Sequence, residues 1–207
     1  CFGCGQGGGA IDFVMKHEHL SYPEAVTDIA QKNGIHVKYE KGSLDEATAR
    51  LYKAVEDAAR YYTHQFEHHQ AAQEYLKERG FEPETATAFR IGYAREEGGL
   101  QGFLRERGYT MEEMEKTGLV LTKYGNPTDR FRGRLLFPIM NRWGRTLGFS
   151  GRYLTADGND ETTKTQPKYL ISPESEIFHK SKVLHGLGTP TINKLLGQWR
   201  QAFIVEG

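Results

Sequence analysis

Apolar positions along this chain change period near its middle. From Ala10 to Lys16, Ile11, Val14 and Met15 recur at helical spacing. From Tyr22 to Asn33, Ala25, Val26, Ile29 and Ala30 mark one face, with Asn33-Gly34 as the stop. Ile35 to Tyr39 reads as a short extended piece. The longest pattern follows Lys41-Gly42-Ser43, where Ser43 with Glu46 fits a capping box. Leu44, Ala47, Leu51, Ala54, Val55, Ala58 and Tyr62 then keep a helical period to about Phe66. Further helices are predicted over Ala71 to Arg79, Pro83 to Phe89, Leu100 to Arg107 and Met111 to Lys116.

From Gly118 the period falls to two. Leu119 to Lys123, Arg134 to Met140, Thr146 to Leu154 and Ala202 to Glu206 are strand-like, with Asn141-Arg142-Trp143-Gly144 as a hairpin turn. The pattern predicts an α+β fold, a helical first half packed on a small mixed sheet. The expected boundaries give residues 1–42 as a first unit and linker, 43–201 as the main domain, and 202–207 as the opening of another. Asp157 to Gln166 is polar and reads as a loop.

Composition narrows the function. Of the 207 residues 38% are hydrophobic, and no apolar run approaches the roughly 20 needed to cross a bilayer, so a cytoplasmic protein is expected. The formal net charge is zero, but the charges are unevenly placed. Residues 130–152 hold Arg130, Arg132, Arg134, Arg142, Arg145 and Arg152 and no acid. If Arg130 to Arg134 is extended, its three alternating arginines share one face, with Phe131 on the other. Such a row suits phosphates, because arginine's planar fork binds their oxygens in pairs; a solvated strand face is the bland alternative. Cys1 and Cys4, the only cysteines, have the Cys-x-x-Cys spacing of a metal or redox pair. His64, His68 and His69 have spacing that could bind a metal, but no acid in register supports it, and they read as a solvated face. Trp143 and Trp199 read as turn and packing residues.

Several strings occur in an order that resembles a known family. Asp129-Arg130-Phe131-Arg132-Gly133-Arg134-Leu135-Leu136-Phe137-Pro138-Ile139 is followed by Gly144-Arg145-Thr146-Leu147-Gly148-Phe149-Ser150-Gly151-Arg152. Then come Pro167-Lys168-Tyr169-Leu170-Ile171-Ser172-Pro173-Glu174 and Ile177-Phe178-His179-Lys180. These resemble bacterial DnaG-type primases. The start, Cys1-Phe2-Gly3-Cys4-Gly5 with Ala10-Ile11-Asp12-Phe13, resembles the end of that family's zinc ribbon, and Val205-Glu206-Gly207 the opening of its Toprim domain. A longer polar insert before Pro167 and the stretch from Leu187 to Gln201 depart from the pattern.

The resemblance implies RNA primer synthesis on a single-stranded DNA template from nucleoside triphosphates, with Mg²⁺ or Mn²⁺. A replicative helicase would be met through a C-terminal domain outside this sequence. Arg152, Lys168, Tyr169 and Lys180 would line the groove for template and nucleotide, joined by Arg79 in Tyr75-Leu76-Lys77-Glu78-Arg79-Gly80 and by the arginines from Arg130 to Arg134. Cys1 and Cys4 would be two of four zinc ligands. Glu206 would be a catalytic, metal-binding carboxylate working with aspartates further on. Both ends read as cut through structure, so this length of chain is expected to supply template-binding surface and to be inactive as a polymerase. Two other readings are a non-catalytic zinc-ribbon protein that binds single-stranded DNA, and another Toprim enzyme such as a topoisomerase or nuclease.

Overall fold

The computed structural model describes residues 3, 7–17, 22–35, 46–141, 143–154, 166–186, 188, 189 and 192. The chain divides into two units, Cys1–Ala49 and Arg50–Gly207. The proposed capping box at Ser43, most of the extended piece after Ile35 and the strand at Ala202 to Glu206 lie outside the described residues.

In the first unit, α1 (Ala10–His17) and α2 (Tyr22–Lys32) form where the periodicity puts them. The stop on α2 works as expected. Gly34 takes the left-handed conformation that a side chain disfavours (φ +67), and the Ile35 N–H reaches back to the Ala30 carbonyl at 2.8 Å.

The second unit is built on α3 (Glu46–Glu67). Its buried stripe is Leu51, Ala54, Val55, Ala58, Ala59, Tyr61, Tyr62 and Phe66. Ala47, expected on that stripe, is exposed, and Leu44 is not described. Shorter helices follow: α4 (Gln70–Glu78), α5 (Pro83–Ala88), α6 (Leu100–Glu106) and α7 (Met111–Lys116). Thr110 and Glu113 form a reciprocal capping box that starts α7.

The main sheet has the order β1 (Gly92–Ala94), β4 (Arg134–Met140), β5 (Thr146–Tyr153), β6 (Tyr169–Ile171), and β2 (Val120–Lys123) pairs with β3 (Asn126–Asp129) in a separate hairpin. The sheet was expected to be mixed and to begin after Gly118. Each pairing among the described strands is antiparallel, and the first strand precedes Gly118. β1 and β6 have three residues each, too few to show an alternating pattern, and they become strands by pairing with β4 and β5.

Alternation across this sheet sorts residues onto two faces. Gly92, Ala94, Leu136, Phe149 and Gly151 share one face. There Ala94, Leu136 and Phe149 join Tyr62 of α3, Leu104 of α6 and Met114 of α7 in the largest core. Gly92 is required by that contact, since a Cβ there would lie 2.6 Å from the Tyr62 Cβ. Tyr93, Leu135 and Phe137 look the other way, into a second core with Ala72 and Leu76 of α4 and Ala86 of α5. α4 and α5 therefore cover the β1–β4 side of this second face. At the β5–β6 side Tyr169 and Ile171 are exposed.

Polar contacts tie the layers together. Glu56 of α3 accepts from Arg90 Nη2 at 2.6 Å and from Thr146 Oγ1 at 3.0 Å, joining α3 to the approach to β1 and the start of β5. Arg50 forks onto Glu113, its Nε to Oε1 and its Nη2 to Oε2 at 3.1 Å. That fork, helped by the Thr110 N–H and hydroxyl, holds the Glu113 carboxyl down at about 2. A carboxylate whose folded pKa is depressed stabilises the fold above its unfolded pKa of about 4.3 and loses that contribution as pH falls toward the folded value. Glu113→Gln is therefore expected to cost about 1 to 3 kcal/mol at pH 7, with the difference from the native chain closing as the pH falls from about 4.5 toward 2. Urea unfolding across that range measures it, and a pH-independent difference would contradict the account.

Candidate nucleic-acid interface

The three-residue strand β6 stands among several of the cations singled out in the sequence. Tyr169 is the direct cross-strand neighbour of Arg152, so both side chains rise from the second face of the sheet. Arg152 Nη1 donates to the Tyr169 hydroxyl at 2.6 Å, and its guanidinium carbon lies 5.4 Å from the centre of that ring. The same carbon lies 5.4 Å from the centre of Tyr75, on α4. Arg79, the C-cap of α4, stands over the other participant in that contact, 5.2 Å from the Tyr75 ring centre. Arg79, Tyr75, Arg152 and Tyr169 thus form one connected series of cations and rings. Such contacts are favourable because the ring face is electron-rich.

Tyr75 was missed by sequence reasoning. The signal available was its place one turn before Arg79 in the Tyr75-Leu76-Lys77-Glu78-Arg79 string. Its partner Arg152 is remote in sequence and is brought near only by the β5 register.

The row of three arginines is corrected by the structure. β3 ends at Asp129 and β4 begins at Arg134, and the residues between turn, with Gly133 at φ +61. The three side chains consequently diverge. Arg130 Nη2 donates to the Ile171 carbonyl of β6 at 2.9 Å. Arg132 is exposed and donates to the Glu96 carbonyl at 2.6 Å. Arg134 is 2% exposed, since on β4 it shares a face with Leu136 and Gly151. It donates to the carbonyls of Gly151 at 3.2 Å and Lys168 at 3.5 Å and stands over the Tyr153 ring. Burial lowers the pKa of both Arg130 and Arg134. A guanidinium normally titrates above about 12, so both remain cations at neutral pH.

Asp129 fixes where this turn starts. Its Oδ2 accepts from the N–H groups of Gly99 at 2.7 Å and Leu100 at 2.9 Å, and its Oδ1 from Gln101 at 3.0 Å. One carboxylate therefore satisfies three backbone donors at the start of α6, where the helix dipole also favours it.

Lys168 is exposed and immediately precedes β6. Lys180 is exposed in a single 3-10 turn, Lys180–Lys182. The loop before it is held by Glu174, which accepts from the Lys180 N–H at 3.0 Å and meets His179 at 3.3 Å; the Lys180 N–H bond is the largest cause of its lowered pKa. The second face thus holds Arg79, Arg152 and Tyr169, with exposed Lys168 next before Tyr169 in the chain and Arg130 at the end of β6. Arg132 and Arg134 are directed elsewhere. Among the described residues no ring or polar contact joins Lys180 to the series. Among the described residues neither Arg79, Arg152, Lys168 nor Lys180 has a carboxylate within 4.0 Å, whereas Arg50, Arg60, Arg90 and Arg95 each have one. The surface can accept anions without first breaking an ion pair, and Tyr169, 54% exposed, offers a ring for a base.

His69, read as part of a solvated face, caps α4 through Nδ1, which accepts from the Ala72 N–H at 3.1 Å, and it stacks on Tyr93. His64 and His68 are exposed. Cys1, Cys4 and Glu206 lie outside the described residues. Among the described residues no three His, Cys, Asp or Glu side chains come together as a metal site, and no helix is long and apolar enough to cross a membrane.

Comparison with known proteins agrees along most of the chain. Residues 61–190 match the sequence model of the DNA primase catalytic core, N-terminal domain, and residues 1–45 match that of the CHC2 zinc finger. The chain is 36% identical to the DNA primase of Clostridium acetobutylicum over 94% of its own length and 32% of the relative's. It is 37% identical to that of Escherichia coli over 90% and 32%. It therefore spans about a third of the length of these relatives. The Aquifex aeolicus primase structure, with zinc-binding and RNA polymerase domains, matches 91% of this chain and 44% of its own at 34% identity and a TM-score of 0.60. The RNA polymerase domain of the Mycobacterium tuberculosis primase, in complex with a double-stranded DNA oligomer with an overhang, matches 67% and 43% at 33% identity and TM-score 0.60.

The distinction between buried and open arginines is testable on stability. Arg134→Ala is expected to cost about 2 to 4 kcal/mol, from the cavity and two stranded carbonyls, and Arg132→Ala less than about 0.5. Equal effects of the two substitutions on the urea midpoint would show that Arg134 is not the buried member.

Proposed function

The chain belongs to the DnaG-type DNA primase family, and from that premise we propose that its Arg50–Gly207 unit carries the template-gripping surface of an enzyme that makes short RNA primers on single-stranded DNA. The observation that carries this reading is the series Arg79, Tyr75, Arg152 and Tyr169, cationic, open and without acidic partners among the described residues, with exposed Lys168 adjoining Tyr169 in the chain. Phosphates would meet Arg79, Arg152 and Lys168, and a base would stack on Tyr169. Arg130 and Lys180 would extend the basic margin. The complex of the Mycobacterium tuberculosis domain with DNA supports the same partner here.

Primer synthesis would draw on nucleoside triphosphates as substrates, yield an RNA primer, and use Mg²⁺ or Mn²⁺ to offset triphosphate charge. A replicative helicase would be the partner of the whole protein, and the cytoplasm its place of work. Glu206 is the catalytic carboxylate of this reading, but one carboxylate does not make a divalent-metal site. Zinc accords with the CHC2 match, yet Cys1 and Cys4 supply two donors where a structural zinc takes four. The domain limits at residues 42, 43, 201 and 202 belong to the same reading.

Fluorescence anisotropy with a labelled single-stranded oligonucleotide, across a salt series, tests the surface. Arg152→Ala and Lys168→Ala should each flatten the slope of log K against log salt by about 0.7, the value of one phosphate contact on a single strand. Tyr169→Ala should weaken binding by about 1 to 3 kcal/mol with the slope nearly unchanged, because no ionic contact is removed. If the double substitution Arg152→Ala and Lys168→Ala leaves affinity and slope as they were, the assignment fails.

A further inference from the structure

We propose that Tyr75 is a positioning residue for Arg152, holding its guanidinium in the orientation that receives a template phosphate. The inference rests on the reading that this face binds single-stranded DNA. An unrestrained arginine carries about 2 kcal/mol of rotamer entropy that binding would have to remove. Here the guanidinium carbon of Arg152 lies 5.4 Å from the centres of two rings, Tyr75 from α4 and Tyr169 from β6. Arg152 meets Tyr169 at its hydroxyl end, and contact with the Tyr75 ring occupies no donor, which leaves the remaining donors in the guanidinium plane available. Among the described residues no carboxylate lies within 4.0 Å of them. Phosphate oxygens are recognised in that plane, so the side chain is held without being neutralised.

Tyr75 is suited to hold it because it is itself fixed. It lies on α4, packs at the edge of the second core beside Leu76 and Ala72, and carries Arg79 on the same ring. Tyr169 is 54% exposed on a three-residue strand and is assigned to a base. When a base takes the Tyr169 ring, Tyr75 remains as the fixed side of the Arg152 site. No hydrogen bond of the Tyr75 hydroxyl is seen among the described residues, so the ring carries the effect.

A double-mutant cycle on the 207-residue chain, read by anisotropy with a single-stranded oligonucleotide, tests this. Tyr75→Phe should bind within about 2-fold of the native chain. Tyr75→Leu should lose about 3- to 10-fold, the size of one partly desolvated cation–π contact. In an Arg152→Ala background the same Tyr75→Leu change should cost less than about 2-fold. Tyr75→Met, which fills more of the volume, covers the case in which leucine loosens α4, and thermal melts of each variant report that. Native-like binding by Tyr75→Leu and Tyr75→Met while Arg152→Ala is weakened overturns the inference and leaves the DNA-binding reading intact. An equal loss with and without Arg152 also overturns it. If the native chain binds no single-stranded DNA, both fall together.

Discussion

The register in which β5 pairs with β4 on one side and β6 on the other decides which cations meet solvent. Arg134 lies opposite Tyr153, and Arg152 lies opposite Tyr169. Because successive residues alternate between faces, these two arginines of the same sheet point in opposite directions. One is enclosed with Phe131, Leu136 and Gly151, and the other stands beside α4. A slip of one residue in β5 would turn Arg152 onto the core face that already holds Arg134 of β4, burying the open cation and ending its contact with Tyr75. The hydrophobic set Leu147 and Phe149 would move to the wrong face at the same time, so the core that stabilises the unit also enforces the orientation of its binding residues.

The helices supply the rest of the constraint. α3 needs Gly92 opposite Tyr62 to approach the sheet, and that approach sets β1, which in turn pairs with β4. α4 lies over the other face, where Leu76 enters the second core and Tyr75 and Arg79 remain toward the β5 and β6 side. Two residues one helical turn apart thus serve a single cation site because the buried neighbour between them holds the helix in place.

Local chemistry was legible in the sequence where it was repeated or bounded. α2, α3, α6 and α7, the hairpin around Trp143 and the strings that carry Arg152, Lys168 and Tyr169 could all be read from period, turn residues and motif order. β1 and β6 could not, since three residues show no alternation. The reading of Arg130, Arg132 and Arg134 failed for a different reason. Alternation of residue types implies a shared face only within a continuous strand, and Gly133, in a left-handed turn, interrupts it. Tyr75 was hidden because nothing in its own string shows that a strand from another part of the chain ends beside it.

A chain of zero formal charge can still present a cationic surface, because its acids are engaged elsewhere. Glu56 is held by Arg90 and Thr146, Glu113 by Arg50 and Thr110, and Glu112 pairs with Lys116. Asp129 is committed to three backbone N–H groups of α6. These bonds stabilise helix starts and join layers, and they engage those four carboxylates within the fold. The aromatic rings at the second face do what acids would otherwise do. They bring Arg79 and Arg152 close on either contact of Tyr75 without cancelling their charge. A salt bridge would order the same side chains more strongly, but a phosphate would then have to displace a carboxylate, and much of the gain on binding would be lost. Rings order the cations and leave their charge for the template.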